Sequence, residues 1–324
     1  MLDQARRMLM IVVCGEALVD FTPTQVGDRE AYVPRAGGSP LNVAVTLARL
    51  EAPVAFLGRL SRDFFGQFLR RHLVANGVDL RYLKDGPELA SLAFVHLVPG
   101  EEPAYRFYLE NSADRGLLPE HLPAAFPNEV QALHFGSVSL VLEPGASTLE
   151  HCMRRARQAR VVSLDPNVRP GLIADHDAYL RRLDGWVRQA DIVKVSMADL
   201  AWLHPGEEPE RIARGWLELG PSLVAVTGGV DGCAGFTRER TVRVPGLVVQ
   251  VVDTVGAGDA YMGGLLASLQ QRGWLARARL ARLTATELTE VLSFANRASA
   301  LTCMRAGADP PYRSEMDGGA SRAG

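Results

Sequence analysis

The chain has 324 residues, enough for one large α/β domain with a substantial core or for two smaller ones. Its formal net charge of −2 gives no electrostatic case for nucleic acid or an anionic membrane as partner. Apolar residues make up 47%, ordinary for a globular protein, and runs such as Met8 to Cys14 are far too short to span a bilayer.

The chain opens with a leader of seven residues, read as ragged. Leu9 to Cys14 then reads as a buried strand. It runs directly into Gly15-Glu16 with no cleavage-site pattern, so it is not read as a signal peptide. Asp20 falls just past that strand, where open α/β sheets place ligand contacts. Its two oxygens suit sugar hydroxyls; a solvated loop acid is the plain alternative. Phe21 to Arg35 is polar and alternating, which suggests a hairpin or lid strand outside the main sheet. Gly37-Gly38-Ser39-Pro40 follows as a turn, with Ser39 as N-cap and Pro40 in the first helical position. Apolar residues at 41, 44, 45, 47 and 48 make the buried face of the helix. Gly37 and Gly38 leave room for a polyol against backbone, and Asn42 can reach back with a donor and an acceptor.

Pro53 to Leu57 is a strand, and an amphipathic helix after it stops near Asn76-Gly77. Leu92 to Val98 and Ala104 to Leu109 form a second hairpin that completes the lid. Beyond Gln131, strands at Ala132–Phe135, Val161–Leu164, Ile192–Val195 and Leu223–Val226 alternate with helices near 146–159, 176–189 and 208–219. That alternation implies right-handed crossovers and a parallel sheet. Cys233–Phe236 and Thr241–Val244 read as an antiparallel patch. Helices near 258–272, 275–283 and 286–305 follow, and the polar segment from 309 to the end reads as mobile. Cys14, Cys152, Cys233 and Cys303 are scattered, which argues for free thiols in a reducing cytoplasm rather than a zinc site or disulfides.

The stretch from Val251 to Gly264 carries the chemistry. A β-branched run passes through Gly256-Ala257-Gly258 into Asp259 and small residues: strand, tight turn, helix start. Glycines let backbone N–H groups approach an anion, and a helix N-terminus favours negative charge. A carboxylate beside such a site costs Coulomb energy, so Asp259 is either a helix cap or a general base for a hydroxyl attacking a phosphoryl group. A Rossmann fingerprint needs a glycine where Tyr261 stands, and no Gly-Lys-Ser/Thr of a Walker loop exists.

Four motifs occur in order: Gly37-Gly38 with Asn42; Asp165-Pro166-Asn167-Val168-Arg169-Pro170; Thr227-x-Gly229-x-x-Gly232; and Asp253-Thr254-x-Gly256-Ala257-Gly258-Asp259. With them the chain resembles the ribokinase-like carbohydrate kinases, most of all the bacterial fructokinases, from about Leu9 to Pro310. The resemblance implies a three-layer α/β sandwich, a mostly parallel sheet flanked by helices, with a small β-lid. It implies one kinase domain over 8–310 with lid segments near 21–35 and 92–109, and a flexible tail over 311–324. The implied reaction moves the ATP γ-phosphoryl group to a sugar primary hydroxyl, most directly that of D-fructose. Kinases of 2-keto-3-deoxygluconate, ribose or a nucleoside are the near alternatives; a non-catalytic sugar or nucleotide sensor is a more distant one.

By matching positions, the resemblance makes Asp259 the base and the amides of Gly256, Ala257 and Gly258 the anion hole, with Arg169 near the transferred group. Asp20, Gly37, Gly38 and Asn42 match sugar contacts, and Thr227, Gly229, Gly232 and Asn296 match the nucleotide side. Mg2+ is implied through water at Asp199, and K+ at Asp253, the carbonyl of Val255 and the loop around Gly307. A homodimer through the lid is implied as well. Three departures stand out. Ser196-Met197-Ala198-Asp199 replaces the family's Asn-x-x-Glu; Leu109 stands where sugar-acid kinases often carry Arg, which leans toward a neutral sugar; and Pro311 supplies no hydroxyl near the cation loop.

Overall fold

A computed structural model of the chain describes residues 9–96 and 104–317. β1 (Met10–Cys14) leads into a hairpin of β2 (Leu18–Val26) and β3 (Arg29–Gly37), then α1 (Ser39–Arg49), β4 (Val54–Ser61), α2 (Phe64–Ala75) and β5 (Asp79–Gly86). β6 (Leu92–His96) and β7 (Ala104–Tyr108) form the second hairpin. Next come β8 (Val130–Gly136), α3 (Gly145–Ala156), β9 (Val161–Asp165), α4 (His176–Val187), β10 (Ile192–Ser196), α5 (Met197–Leu203), α6 (Pro209–Leu219) and β11 (Leu223–Thr227). β12 (Cys233–Phe236), β13 (Thr241–Val244), α7 (Ala257–Gln271), α8 (Arg277–Leu280), α9 (Ala285–Cys303) and α10 (Arg313–Asp317) complete the described chain.

Among the described residues, nine strands form one sheet in the order β13-β12-β11-β10-β9-β8-β1-β4-β5. Pairings from β11 to β5 are parallel, and β12 and β13 add the antiparallel edge. Strand order reverses at β1, which lies between β8 and β4, and ligands bind beyond the carboxyl ends of strands at such a switch point. Side chains alternate across each strand, so β1 serves two cores. Ile11 and Val13 face the layer of α1, α7 and α9, while Met10, Val12 and Cys14 face α3, α4 and α6. This is the three-layer arrangement expected from the sequence.

The lid is a separate four-stranded sheet, β3-β2-β6-β7. It starts earlier than its sequence pattern suggests, because β2 begins at Leu18. Asp20 is therefore a strand residue of the lid, not a loop residue after β1. The two-residue turn Gly27-Asp28 joins β2 to β3, with Gly27 at a φ of 61°. Residues 97 and 98, expected in β6, lie outside the described residues.

Other expectations change. β5 carries Arg81, Lys84 and Asp85 at a sheet edge, so its half-polar pattern hides a strand. The helix expected at 275–283 shrinks to the single turn of α8. The segment expected to be mobile from 311 is packed as far as 317. There Met316 is buried, Arg305 pairs with Glu315, and the Arg49 guanidinium lies 4.6 Å from the Tyr312 ring centroid. Residues 318–324 lie outside the described residues.

α7 is buried on all sides from Asp259 to Leu269, as a helix apolar all round should be. Its two adjacent glycines set how close its neighbours come. A β-carbon at Gly263 would stand 2.6 Å from Thr46 Cβ on α1, and one at Gly264 would stand 3.1 Å from Ala295 Cα on α9. Gly263→Ala should therefore destabilise the protein by about 1–3 kcal/mol through overpacking. Urea unfolding checks this, with a midpoint equal to wild type as the contrary result.

Candidate active site

The site forms where α7 begins. Gly256 is its N-cap, at a φ of 76° that favours glycine. A β-carbon there would also stand 2.5 Å from Ala308 Cβ. Ala257 N–H closes a turn onto Thr254 O at 3.2 Å, which engages one of the three amides expected in the anion hole. The N–H groups of Gly256 and Gly258 have no backbone partner among the described residues. They leave an anion site at a helix N-terminus.

Asp259 lies in the first turn and is 7% exposed. Ser39 Oγ donates to its Oδ1 at 2.6 Å, Asn167 Nδ2 to the same oxygen at 3.1 Å, and Asn42 Nδ2 to Oδ2 at 2.9 Å. Three donors from two other segments hold one carboxylate in one orientation. A mere helix cap would turn its side chain to its own backbone, and the α7 N-cap has no side-chain cap bond. Ser39 is therefore not the N-cap of α1 expected from sequence. Gly38 takes that place at a φ of 98°, and the Ser39 hydroxyl is freed for Asp259.

The expected sugar residues converge. A β-carbon at Gly37 would overlap Asp20 Oδ2 and displace that carboxylate. Gly37 thus leaves the Asp20 carboxylate its place, while a β-carbon at Gly38 would meet the backbone of Glu16 and Ala17. Burial pushes Asp20 up to about 7, with Arg169 opposing and Asp259 adding to the rise. Asp20 is thus within electrostatic reach of both Arg169 and Asp259. Arg169 Nη1 donates to Asn167 Oδ1 at 2.5 Å and to the carbonyls of Asn167 and Val168 at 3.1 Å each. Asn167 itself sits at a φ of 42°, a conformation that asparagine tolerates better than most residues, and so presents its amide to Asp259. A cleft of about 340 Å³ opens between Arg106 and Phe107 of the lid and the loop Arg169–Leu172. Leu109 is buried, and its carbonyl accepts from Ser112 and Arg115.

On the other side, Thr227 ends β11 and the turn from Gly229 to Gly232 follows, with both glycines at positive φ. Gly232 packs on the backbone at Val244–Gly246, and Asn296 Nδ2 donates to Pro245 O at 2.8 Å. Asn296 thus ties α9 to the backbone on which that turn packs. Asp199 closes the capping box of α5: Ser196 Oγ donates to its Oδ2 at 2.7 Å, and Val168 N–H donates to Oδ1 at 3.0 Å. It ties the Arg169 loop down and keeps acceptor capacity for water. Asp253 Oδ1 accepts from Val255 N at 3.0 Å and Oδ2 from Gly307 N at 2.7 Å, so those three expected residues are also together.

Sequence reading missed Lys194. It is 3% exposed in β10, with its Nζ 2.8 Å from Asp165 Oδ2. A β-carbon at Gly258 would stand 2.9 Å from that Nζ, so the ammonium lies against the first turn of α7, beside the expected anion hole. Burial pulls the Lys194 pKa down, but the charges of Asp165, Asp199 and Asp259 more than reverse this and hold it raised. Its only signal in the sequence is a lone lysine in an apolar strand.

A buried, triply held carboxylate beside open helix-terminal amides and a buried cation suits deprotonation of a hydroxyl and transfer of an anionic group. Known proteins agree. The chain is 40% identical over 276 residues to the fructokinase of Rhizobium leguminosarum bv. trifolii, covering 85% of this chain and 84% of that one. The Xylella fastidiosa fructokinase crystallised with bound ATP superposes with a TM-score of 0.87 at 31% identity, over 95% and 96% of the two chains. A Vibrio cholerae fructokinase double mutant, crystallised with fructose, ADP and potassium ion, superposes at 0.82 with 30% identity, over 93% and 94%. The sequence pattern of the pfkB family carbohydrate kinases matches residues 8–315, and the chain belongs to that family.

Proposed function

We propose that this protein is an ATP-dependent fructokinase that converts D-fructose to fructose 6-phosphate. The observation that carries the chemistry is Asp259, held by Ser39, Asn42 and Asn167 at the start of α7. Kinship with fructokinases supports the choice of sugar. In this reading Asp20 accepts sugar hydroxyls, and Gly37 and Gly38 let the ring approach the backbone. Asp259 takes the proton of the C6 hydroxyl as its oxygen attacks the γ-phosphorus and the bond to ADP breaks. Charge growing on the γ-oxygens is received by the amides of Gly256 and Gly258, the α7 N-terminus and Lys194 behind them. Removing one comparable donor elsewhere costs about 100- to 1,000-fold in rate. Arg169 adds a second cation on the sugar side, and Thr227, Gly229, Gly232 and Asn296 frame the nucleotide.

Mg2+ is the divalent ion of this proposal, and when bound with the nucleotide it would supply positive charge to offset that of the transferred group. Among the described residues no three His, Cys, Asp or Glu side chains group to hold a metal. Asp199 fits a water-mediated contact, since Oδ1 accepts a single N–H. K+ beside Asp253, Val255 and Gly307 belongs to the same proposal, as does a cytoplasmic location, which the four free thiols support. Val26, Tyr32, Val33 and Tyr108 expose apolar surface on the lid, which supports a homodimer through it.

A second reading rests on the cleft at Arg106 and Arg169, whose paired charges suit a sugar acid such as 2-keto-3-deoxygluconate. An ADP-release assay with MgATP and fructose, 2-keto-3-deoxygluconate, ribose and adenosine separates these. The proposal expects kcat/KM for fructose to lead by about tenfold or more. A lead for the sugar acid would move the assignment to the second reading, and nucleotide binding without turnover on any of the four would favour a sensor. Fructose binding should also depend on pH. Asp20 is protonated below about 7 and loses acceptor strength there. Fructose KM should rise as pH falls through 7, tending toward about tenfold per unit. In Asp20→Asn the profile should flatten at a high KM; a wild-type KM independent of pH would remove Asp20 from sugar binding.

A further inference from the structure

The lid and the phosphate-binding turn meet at one side chain. Arg35 lies on β3, directly opposite Asp20 of β2. Opposite residues of an antiparallel pair share a face, and these two could form an ion pair. Instead Arg35 Nη1 donates to the carbonyl of Ala306 at 3.2 Å, a contact spanning 271 positions of sequence. The guanidinium also lies on Gly307, where a β-carbon would stand 2.9 Å from Arg35 Cδ and 3.1 Å from Nη1.

From there contacts run straight to the anion hole. Gly307 N–H donates to Asp253, Asp253 accepts from Val255 N–H, and Ala308 abuts Gly256. Asp20, Arg35, Asp253, Val255 and Gly307 line one small cavity at this junction. Arg35 Nε is buried there without a hydrogen-bond partner. A half-exposed arginine that only stabilised the lid would have no reason to grip the loop that backs the γ-phosphoryl site.

We propose that Arg35 is a positioning residue that couples the lid to the anion hole. Sugar seated under the lid fixes β3, and Arg35 passes that constraint through Ala306 and Gly307 to Asp253 and Gly256. Sugar and nucleotide then bind with positive cooperativity, and the anion hole is set for transfer only when the lid is seated. The inference rests on the kinase reading above but not on which sugar is the substrate.

The test is calorimetric titration of ADP, with and without saturating fructose, on wild type, Arg35→Met and Arg35→Lys. ADP avoids turnover during the measurement. In wild type, fructose should tighten ADP by about fivefold or more, and ADP should tighten fructose by the same factor. In Arg35→Met that factor should fall to near one, with ADP affinity in the absence of sugar within about twofold of wild type. Its kcat should drop about tenfold with a smaller change in fructose KM, and sugar-independent ATP hydrolysis should take a larger share of turnover. Arg35→Lys keeps the charge and should recover part of the coupling. A wild-type coupling factor in Arg35→Met, even with a lowered melting temperature, would reduce Arg35 to a structural tie and overturn the proposal, as would absence of coupling in wild type. If wild type turns over a different sugar, that sugar replaces fructose in the titration and the same outcomes decide. If no sugar is turned over, the kinase reading falls and the coupling with it.

Discussion

Asp259→Asn should lower kcat by about 100- to 10,000-fold, the usual contribution of a positioned general base, while ADP affinity changes little. The substitution removes proton-accepting capacity and keeps shape. Its consequences for packing follow from the three donors around the carboxylate. Ser39 and Asn167 both donate to Oδ1, and Asn42 alone donates to Oδ2. An asparagine can keep its oxygen toward the first two. Its amide nitrogen then faces Asn42, whose own amide can turn over to present oxygen instead. The fold should survive, and a melting temperature near wild type would show that the loss is chemical. Retention of more than about a tenth of wild-type kcat, measured by single-turnover kinetics, would remove Asp259 from the role of base. Ser39→Ala should give a smaller loss, because Asn167 still holds the same oxygen.

Lys194→Met should be the second large effect, acting on stability and rate together. Asp165 is fully buried, and removing its partner leaves an uncompensated charge. Breaking a buried pair on one side typically costs about 3–5 kcal/mol. The same change removes the cation behind Gly258, so the anion hole loses charge stabilisation that acts only as the phosphoryl group moves. The two consequences separate in a double variant. Adding Asp165→Asn neutralises the stranded acid and keeps an acceptor for Asn167 N–H, which donates to Asp165 Oδ1 at 3.1 Å. Urea unfolding of Lys194→Met/Asp165→Asn should recover most of the lost stability, while kcat should stay about 100-fold or more below wild type. Recovery of activity along with stability would make Lys194 a purely structural residue.

The start of α7 was legible in the residues alone. A left-handed N-cap, a helix turn and an acid three residues in are short-range features, and Gly256-Ala257-Gly258-Asp259 specifies them locally. Alternation of apolar strands and helices beyond Gln131 likewise located β8 to β11 and the helices between them, because burial on both faces imposes that pattern. The glycines at 37 and 38 announced a close approach; the contacts of Gly37 with the Asp20 carboxylate and of Gly38 with the backbone of Glu16 and Ala17 were not written in the local residues.

What sequence could not supply is partnership across long separations. Ser39 and Asn167 hold Asp259 from 220 and 92 positions away, and nothing local distinguishes their roles from a cap and a loop residue. Lys194 reaches the start of α7 only because β10 packs beneath the first turn of that helix. β5 was hidden because an edge strand can be half polar, and residues 311–317 looked mobile because their anchoring comes from Arg49 and Arg305 elsewhere in the chain. Local backbone conformation and periodic burial are written into neighbouring residues. The choice of which distant donor meets which acceptor is made by packing, and packing is decided only when the whole chain has closed around its two cores.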